Sequence, residues 1–239
     1  MSPTVKLLAA TSINYSGGQV MADLGFTSTS PKSADALSEF AGRNCYRSFD
    51  RPNPATADNE DYLKHILDVG HESVLEHASA TFYVETSRSV LTELERHRHL
   101  SFSVVSQRYV NMTGQDFKML HLPPALKDMW EDNPLLGYRM GNWADDLGNL
   151  YDEIVEYLAE EKGLPRKQAR EAARAVLPNA TNSPMVVTGN HRTWRYVIKA
   201  RWHEAADAEI RELAGELLAE LRRVAPAAYQ DIPDTPYSY

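Results

Sequence analysis

The 239-residue sequence predicts an α+β fold: a mixed sheet with several long helices, in a single domain over residues 1–239 with an irregular tail at 226–239. Three observations predict it. Short alternating or apolar segments recur along the chain, but the helical stretches between them differ in length, so the regular alternation of a doubly wound sheet is missing. Neither an internal repeat nor a low-complexity tract is present. Hydrophobic content of 43% and charged content of 24% are those of a globular chain long enough to bury a core.

The elements follow in order. Val5 to Ala10 is a first strand, and Ser33 to Tyr46 is a helix with Ala34, Leu37, Phe40 and Ala41 along one face. Arg51 to Ala57 holds two prolines and reads as a loop with no glycine-rich phosphate motif. Asp58 opens a helix carrying Tyr62, Ile66 and Leu67, and Gly70 stops it. Ala78 to Glu85 alternates apolar and polar residues, the pattern of a half-buried strand. Ser87 to Glu95 places Val90, Leu91 and Leu94 at helical spacing, with Arg96 to His99 on its last turn and Ser101 to Ser106 as the exit loop. Residues 123–163 are largely helical, broken by Pro134. Gly163 and Pro165 then introduce a short helix that ends at Arg174–Leu177 before Pro178. Met185 to Thr188 is another strand, helices fill 191–225, and the proline-rich tail from Pro226 runs over the surface.

Charge and composition exclude several functions. A formal net charge of −8 argues against a nucleic-acid coat or a membrane-surface protein. No apolar run approaches the ~20 residues that span a bilayer. The N-terminus lacks the features of a secretory signal, so a soluble cytoplasmic protein is expected. Cys45 is the single cysteine, which excludes an intramolecular disulfide and a Cys-rich metal site. Its place at the end of a helical stretch suggests a small buried hydrophobe rather than a nucleophile. His71 and His77, like His97 and His99, lack the i, i+4 spacing of a helical zinc site, and no metal is expected. His77, just before an alternating strand, reads equally well as a core histidine.

The chemistry concentrates between Arg96 and Arg108. Three arginines, two histidines and three serines within thirteen residues of an acidic chain call for an anionic partner. Guanidinium groups grip phosphate or carboxylate bidentately, and neighbouring hydroxyl and N–H groups can complete such a pocket. A set of cations paired with nearby Glu93 and Glu95 is the alternative on local composition alone.

The spacing Arg96-His97-Arg98, seven residues, Ser106, Gln107, Arg108 resembles the signature of the flavin-dependent thymidylate synthases. Phe40–Tyr46, Gly70–His77, Ala173–Pro178 and Thr188–Arg192 also resemble that family, in order, from about residue 37 to residue 225. The resemblance implies an enzyme that converts dUMP to dTMP, with 5,10-methylenetetrahydrofolate as carbon donor and FAD, reduced by NADPH, as hydride source. It further implies a homotetramer with active sites built where subunits meet, and no nucleic-acid or membrane partner. By the same resemblance, Arg201 sits at the pyrimidine and promotes its ionisation; the residues alone also allow a surface arginine paired with Glu204. Flavin contacts carry over to Ser73, Arg96, His97, Arg98, Asn190, His191 and Arg192, with His71 lining the pocket. Nucleotide contacts carry over to Glu93, Leu94, Glu95, Arg96, Val105, Ser106, Gln107, Arg108 and Arg174. Arg108 and Arg174 are expected at the phosphate, with Ser106 donating a hydroxyl. Two positions depart from the family: Val104 stands where Gln or Glu usually touches both ligands, and Tyr196 where Asn or His commonly meets the flavin. A relative that leaves a hydroxymethyl group on the pyrimidine, or accepts another pyrimidine nucleotide, and a nucleotide- or RNA-binding module without chemistry are the competing readings. The absence of aromatic interleaving weighs against RNA.

Overall fold

Strands β1 (Thr4–Ala10), β2 (Ser79–Glu85), β3 (Ser101–Val104) and β4 (Met185–Asn190) form one sheet, ordered β1-β2-β4-β3, in the computed structural model. The structure describes residues 2–50, 53–114 and 118–238. The sheet is antiparallel in place of the mixed sheet expected. The Thr81 and Thr188 hydroxyls meet at 2.9 Å while His191 N–H donates to Ala78 at 3.0 Å. Position numbers that rise on one strand as they fall on the other are the register of an antiparallel pair.

The helices are α1 (Tyr15–Asp23), α2 (Ser33–Tyr46), α3 (Asn59–Asp68), α4 (Arg88–Leu94), α5 (Met129–Asp132), α6 (Pro134–Glu156), α7 (Arg166–Ala173), α8 (His191–Arg201) and α9 (Ala208–Val224). Helix α1, capped by Asn14, had no counterpart in the sequence reading. No helix among the described residues is long and apolar enough to cross a membrane. Two compact units emerge, each assembled from separated segments: one from residues 1–4, 84–96 and 103–185, the other from 5–83, 97–102 and 186–239.

In the first unit α6 packs on α7, and Met112, Tyr151, Val155, Ala169 and Ala173 close a small core between them. This core fixes the C-terminal end of α7, where a single 3-10 turn, Arg174–Val176, follows. In the second unit α8 lies on α9, and Trp194 anchors it to the sheet. The Trp194 ring meets Phe82 edge-on at 5.2 Å, and its indole N–H donates to the Ala80 carbonyl at 3.1 Å. A buried tryptophan thus satisfies its one donor while contributing its large apolar surface.

Several expectations change. On α2, Leu37 and Phe40 join Met21, Phe26 and Phe49 in a small apolar cluster as half-buried members. The deeper side of α2 is polar. Glu39 and Arg43 are both buried and ion-paired at 2.7 Å, with Asn59 Nδ2 donating to Glu39 at 2.8 Å. Helix α3 and the tail cover that side, so its polar groups must satisfy one another. Cys45, expected in the interior, is exposed, and so is His77, for which a core position was one of two equal readings. The proline-rich loop contains a 3-10 turn at Pro54–Thr56, while Arg51 and Pro52 lie outside the described residues.

The tail is also not a surface strand of coil. Ala227, Ala228, Tyr229 and Ile232 are buried. The Asp35 carboxylate accepts from the Ala227 and Ala228 N–H groups at 3.0 and 3.2 Å. The Arg195 guanidinium, fully buried on α8, donates to the Ala228 carbonyl and reaches both Asp231 oxygens at 2.7 Å. Further along, Trp202 donates to Pro233 O at 3.1 Å and Tyr237 N–H returns to Trp202 O at 2.9 Å. Replacing Asp231 by Ala would leave the buried Arg195 cation with the Ala228 carbonyl and the more distant Glu72 carboxylate among the described residues. A loss of about 3 kcal/mol in unfolding free energy is expected, measured by chemical denaturation; a change within experimental error would show that the pair does not hold the tail.

Candidate active site

The signature begins where α4 ends. Ser87 caps the helix by accepting from Val90 N–H at 3.3 Å, and the helical bonding stops at Leu94. Arg96 to His99 therefore lie in the turns that follow the helix, and Ser101 to Val104 are strand β3 rather than a loop. The reason lies in the tertiary packing of Leu100. A Cβ on Gly189 would stand 2.6 Å from Leu100 Cδ2, so a glycine on β4 lets Leu100 seat itself and draw the chain into β3. Within the turns, His97 and Leu100 are buried while Arg96, Arg98 and His99 are exposed.

The nucleotide-assigned residues, from Glu93 to Arg96 and from Val104 to Arg108 with Arg174, fall in the first unit, Leu94 and Gln107 being buried. After β3, Val105 N–H donates to Pro184 O at 3.0 Å, and the chain turns at Ser106, whose carbonyl accepts from Tyr109 and Val110. Ser106 Oγ accepts from Arg108 N–H at 3.4 Å. Arg108 approaches Glu171 of α7 at 3.8 Å, and Arg170 Nη1 donates to Tyr109 O at 2.7 Å. Glu171 and Arg174 are three residues apart, on one side of α7 and its following turn. The structure thus brings Arg108 to the end of the helix that carries exposed Arg174. Val104 is half-buried and has no hydrogen-bonding side chain to offer.

The second unit holds most of the flavin-assigned set, namely His71, Ser73, His97, Arg98, Asn190, His191, Arg192 and Tyr196, together with Arg201, while Arg96 and Val104 of that set fall in the first. Asn190 ends β4 and caps α8, its side-chain oxygen accepting from Thr193 N–H at 2.8 Å. This junction fixes Arg192, exposed and ion-paired with Glu76 at the end of the turn that contains Ser73. His191 points inward. Its Nδ1 lies 2.9 Å from the Tyr229 hydroxyl, and burial pushes its pKa down to about 4. Tyr196 is exposed, with its ring edge-on to His97 at 5.5 Å. Arg201, half-buried at the end of α8, donates from Nε to His97 Nε2 at 3.1 Å. His97 Nδ1 is buried and meets no hydrogen-bond partner among the described residues.

The sequence reading missed two parts of this arrangement. Nothing in residue spacing joins His97 to Arg201 across 104 positions. Nor does spacing distinguish the core arginine Arg195 from its exposed neighbours Arg192 and Lys199, although residues three and four positions apart on a helix would normally share a face.

A family profile described as thymidylate synthase complementing protein matches residues 27–227. The chain belongs to this family. A protein of Mycobacterium phage L5 named probable flavin-dependent thymidylate synthase is 72% identical over 207 residues, covering 86% of this chain and 84% of that one. A protein of the same name from Mycobacterium phage D29 is 66% identical over 217 residues, covering 87% of each. The flavin-dependent thymidylate synthase of Mycobacterium tuberculosis H37Ra is 50% identical over 207 residues, covering 84% of this chain and 80% of its own. Membership carries the fold class with it, and these relatives bear the signature's family name.

His191 sets a pH dependence. Because its folded pKa lies below the ordinary 6.5, it stabilises the fold fully above that value and loses this contribution as pH falls towards about 4. The stability advantage of the native chain over His191→Gln should shrink by about 2 kcal/mol between pH 7 and pH 5. Parallel denaturation curves with a constant gap would mean that the imidazole is not kept neutral by the core.

Proposed function

We propose that this chain reductively methylates dUMP to dTMP, taking the carbon from 5,10-methylenetetrahydrofolate and using FAD, reduced by NADPH, in the de novo synthesis of thymidylate. The observation that carries the reading is the complete Arg96–Arg108 signature, with His97 of that signature hydrogen-bonded to Arg201. Cytoplasmic location goes with these substrates.

The residues present fit a flavin. The pyrophosphate and ring carbonyls of such a group accept hydrogen bonds, and Ser73, Arg98 and Arg192 are exposed donors. His97 adds a buried nitrogen without a protein partner. Asn190 has its oxygen engaged as a helix cap, which leaves its amide N–H groups for this role. His191 has its Nδ1 engaged by Tyr229, while its Nε2 is buried and meets no hydrogen-bond partner among the described residues. When bound, the flavin supplies the hydride that no side chain can.

On the nucleotide side, Arg108 and Arg174 hold the phosphate, and Ser106 with the turn after β3 adds hydroxyl and N–H donors. Carbon 5 of uracil is a poor nucleophile until electron density is pushed into the ring. A fixed guanidinium at the pyrimidine N3–O region stabilises the charge that this requires, without titrating near neutrality. Arg201 has that role. A second reading rests on Val104, which cannot make the hydrogen bonds of the Gln or Glu usual there: turnover would then leave a hydroxymethyl group.

We assign the same chain to a homotetramer with active sites shared between subunits. Support comes from α6, where Leu136, Trp143 and Leu150 are exposed at seven-residue spacing, with Tyr157 next in the series. Such a stripe needs a cover, and a second copy of the helix running antiparallel would also set Arg139 against Glu153.

Anaerobic incubation with FAD, NADPH, dUMP and isotopically labelled methylenetetrahydrofolate tests the reading by mass spectrometry. Labelled dTMP is expected; labelled hydroxymethyl-dUMP would select the second reading, and no labelled nucleotide would overturn both. In the same assay Arg201→Lys should lower kcat about 100-fold without loss of fold, because a point charge does not reproduce the planar fork. Arg174→Ala should weaken dUMP binding by about 10-fold or more, with flavin affinity little changed. Equal loss of both ligands would place Arg174 elsewhere in the site.

A further inference from the structure

We propose that His97 is the positioning residue for Arg201: its Nε2 lone pair fixes the guanidinium, and the Tyr196 ring fixes the imidazole. The inference rests on Arg201 being the arginine that meets the pyrimidine. It starts from a protonation state that leaves no choice. Arginine stays protonated in proteins, so Arg201 Nε is a donor, and the ring nitrogen it meets at 3.1 Å has to accept. His97 is then neutral and carries its proton on Nδ1. Burial and the charge of Arg201 both hold its pKa below the ordinary value, in agreement with that state.

The surroundings keep the ring in this orientation. Leu100, seated over Gly189, anchors the turn that carries His97. Tyr196 stands edge-on against the imidazole, 5.5 Å between centroids and 70° between planes, which opposes the ring flip that would exchange Nδ1 for Nε2. Tyr196 and Arg201 both belong to α8, so one rigid helix supplies the ring that steadies His97 and the arginine that His97 steadies. The bond engages Nε and restrains the end of a long, flexible side chain at the atom nearest its stem. This gives a role to Tyr196, one of the two departures from the family pattern: a phenol ring in place of Asn or His.

Protonating His97 would convert the acceptor into a donor and set a second cation against Arg201. Arg201 is the charged group that shifts His97, and the Tyr196 phenol is the titratable group in ring contact with it. Turnover should therefore fall as pH drops through the His97 pKa.

The test compares pH profiles of kcat and of KM for dUMP in the flavin-loaded native enzyme, His97→Gln, His97→Phe and Tyr196→Ala. The glutamine carbonyl can accept from Arg201 without titrating, whereas phenylalanine fills the space and accepts nothing. His97→Phe should lower kcat about 100-fold, the scale of a misplaced catalytic group. His97→Gln should recover at least about a tenth of native turnover, ahead of His97→Phe, and lose the acid limb of the profile. Tyr196→Ala, a change at an exposed position, should move that limb to higher pH as His97 becomes better solvated. Equal losses in the Gln and Phe variants, or an unchanged acid limb in His97→Gln, would overturn the proposal. A separate reading needs no turnover: 15N-histidine spectra should show His97, identified by its loss in His97→Gln, as the Nδ1–H tautomer. An Nε2–H tautomer would overturn it outright. Normal turnover in Arg201→Lys would instead overturn the role given to Arg201, whatever the His97 variants show.

Discussion

The buried guanidinium of Arg195 is the constraint around which the second unit is organised. A fixed charge removed from water has to be paired and hydrogen-bonded or the helix that bears it cannot pack. Asp231 meets it with both oxygens, Ala228 adds a carbonyl, and Glu72 stands at 3.5 Å. All but one of these groups come from the C-terminal tail. The tail is therefore a structural component of α8, and α8 is the helix that Asn190 caps and that carries Arg192, Tyr196 and Arg201. Breaking the pair would free the very helix whose far end has to hold an arginine in a fixed orientation.

Asp35 and His191 extend the same economy of buried polar groups. Asp35 accepts two N–H bonds from the start of the tail, yet burial dominates and raises its pKa to about 6. Its folded pKa lies above the unfolded one, so its stabilising contribution is complete below pH 3.8 and is lost as pH rises through about 6. His191 works in the opposite direction over nearly the same range. The two partly cancel, which flattens the acid dependence of a fold that would otherwise respond strongly to either. Their common cause is desolvation, and their opposite signs follow from which form of each group is charged.

The signature is also where the chain passes from one compact unit to the other, between Arg96 and His97. Residues assigned to the nucleotide belong mostly to one unit and those assigned to the flavin mostly to the other. Within the first, Glu171 stands against Arg108, a local anion that a phosphate would displace. Within the second, the signature's histidine is bonded to Arg201 rather than left to the ligand alone.

Sequence by itself determined the fold class, most element boundaries and the family to which the chain belongs. Helix α2 and strand β2 follow from short-range periodicity, because burial of one face repeats with the geometry of the backbone. The Arg/His/Ser signature is legible because its residues are close together in sequence, from Arg96 to Arg108, and their spacing is that of the family the chain belongs to. Tertiary structure decided what depends on contacts distant in sequence. It ended α4 at Leu94, because Leu100 had a place against Gly189. It buried a tail whose composition suggested surface, because Arg195 needed Asp231. It selected Arg195 over Arg192 for the core, and joined Arg201 to His97. Periodicity reports which face of an element is apolar, whereas a buried charge such as Arg195 announces itself only when its partner is known, and that partner lies 36 residues away; the histidine that meets half-buried Arg201 lies 104 away.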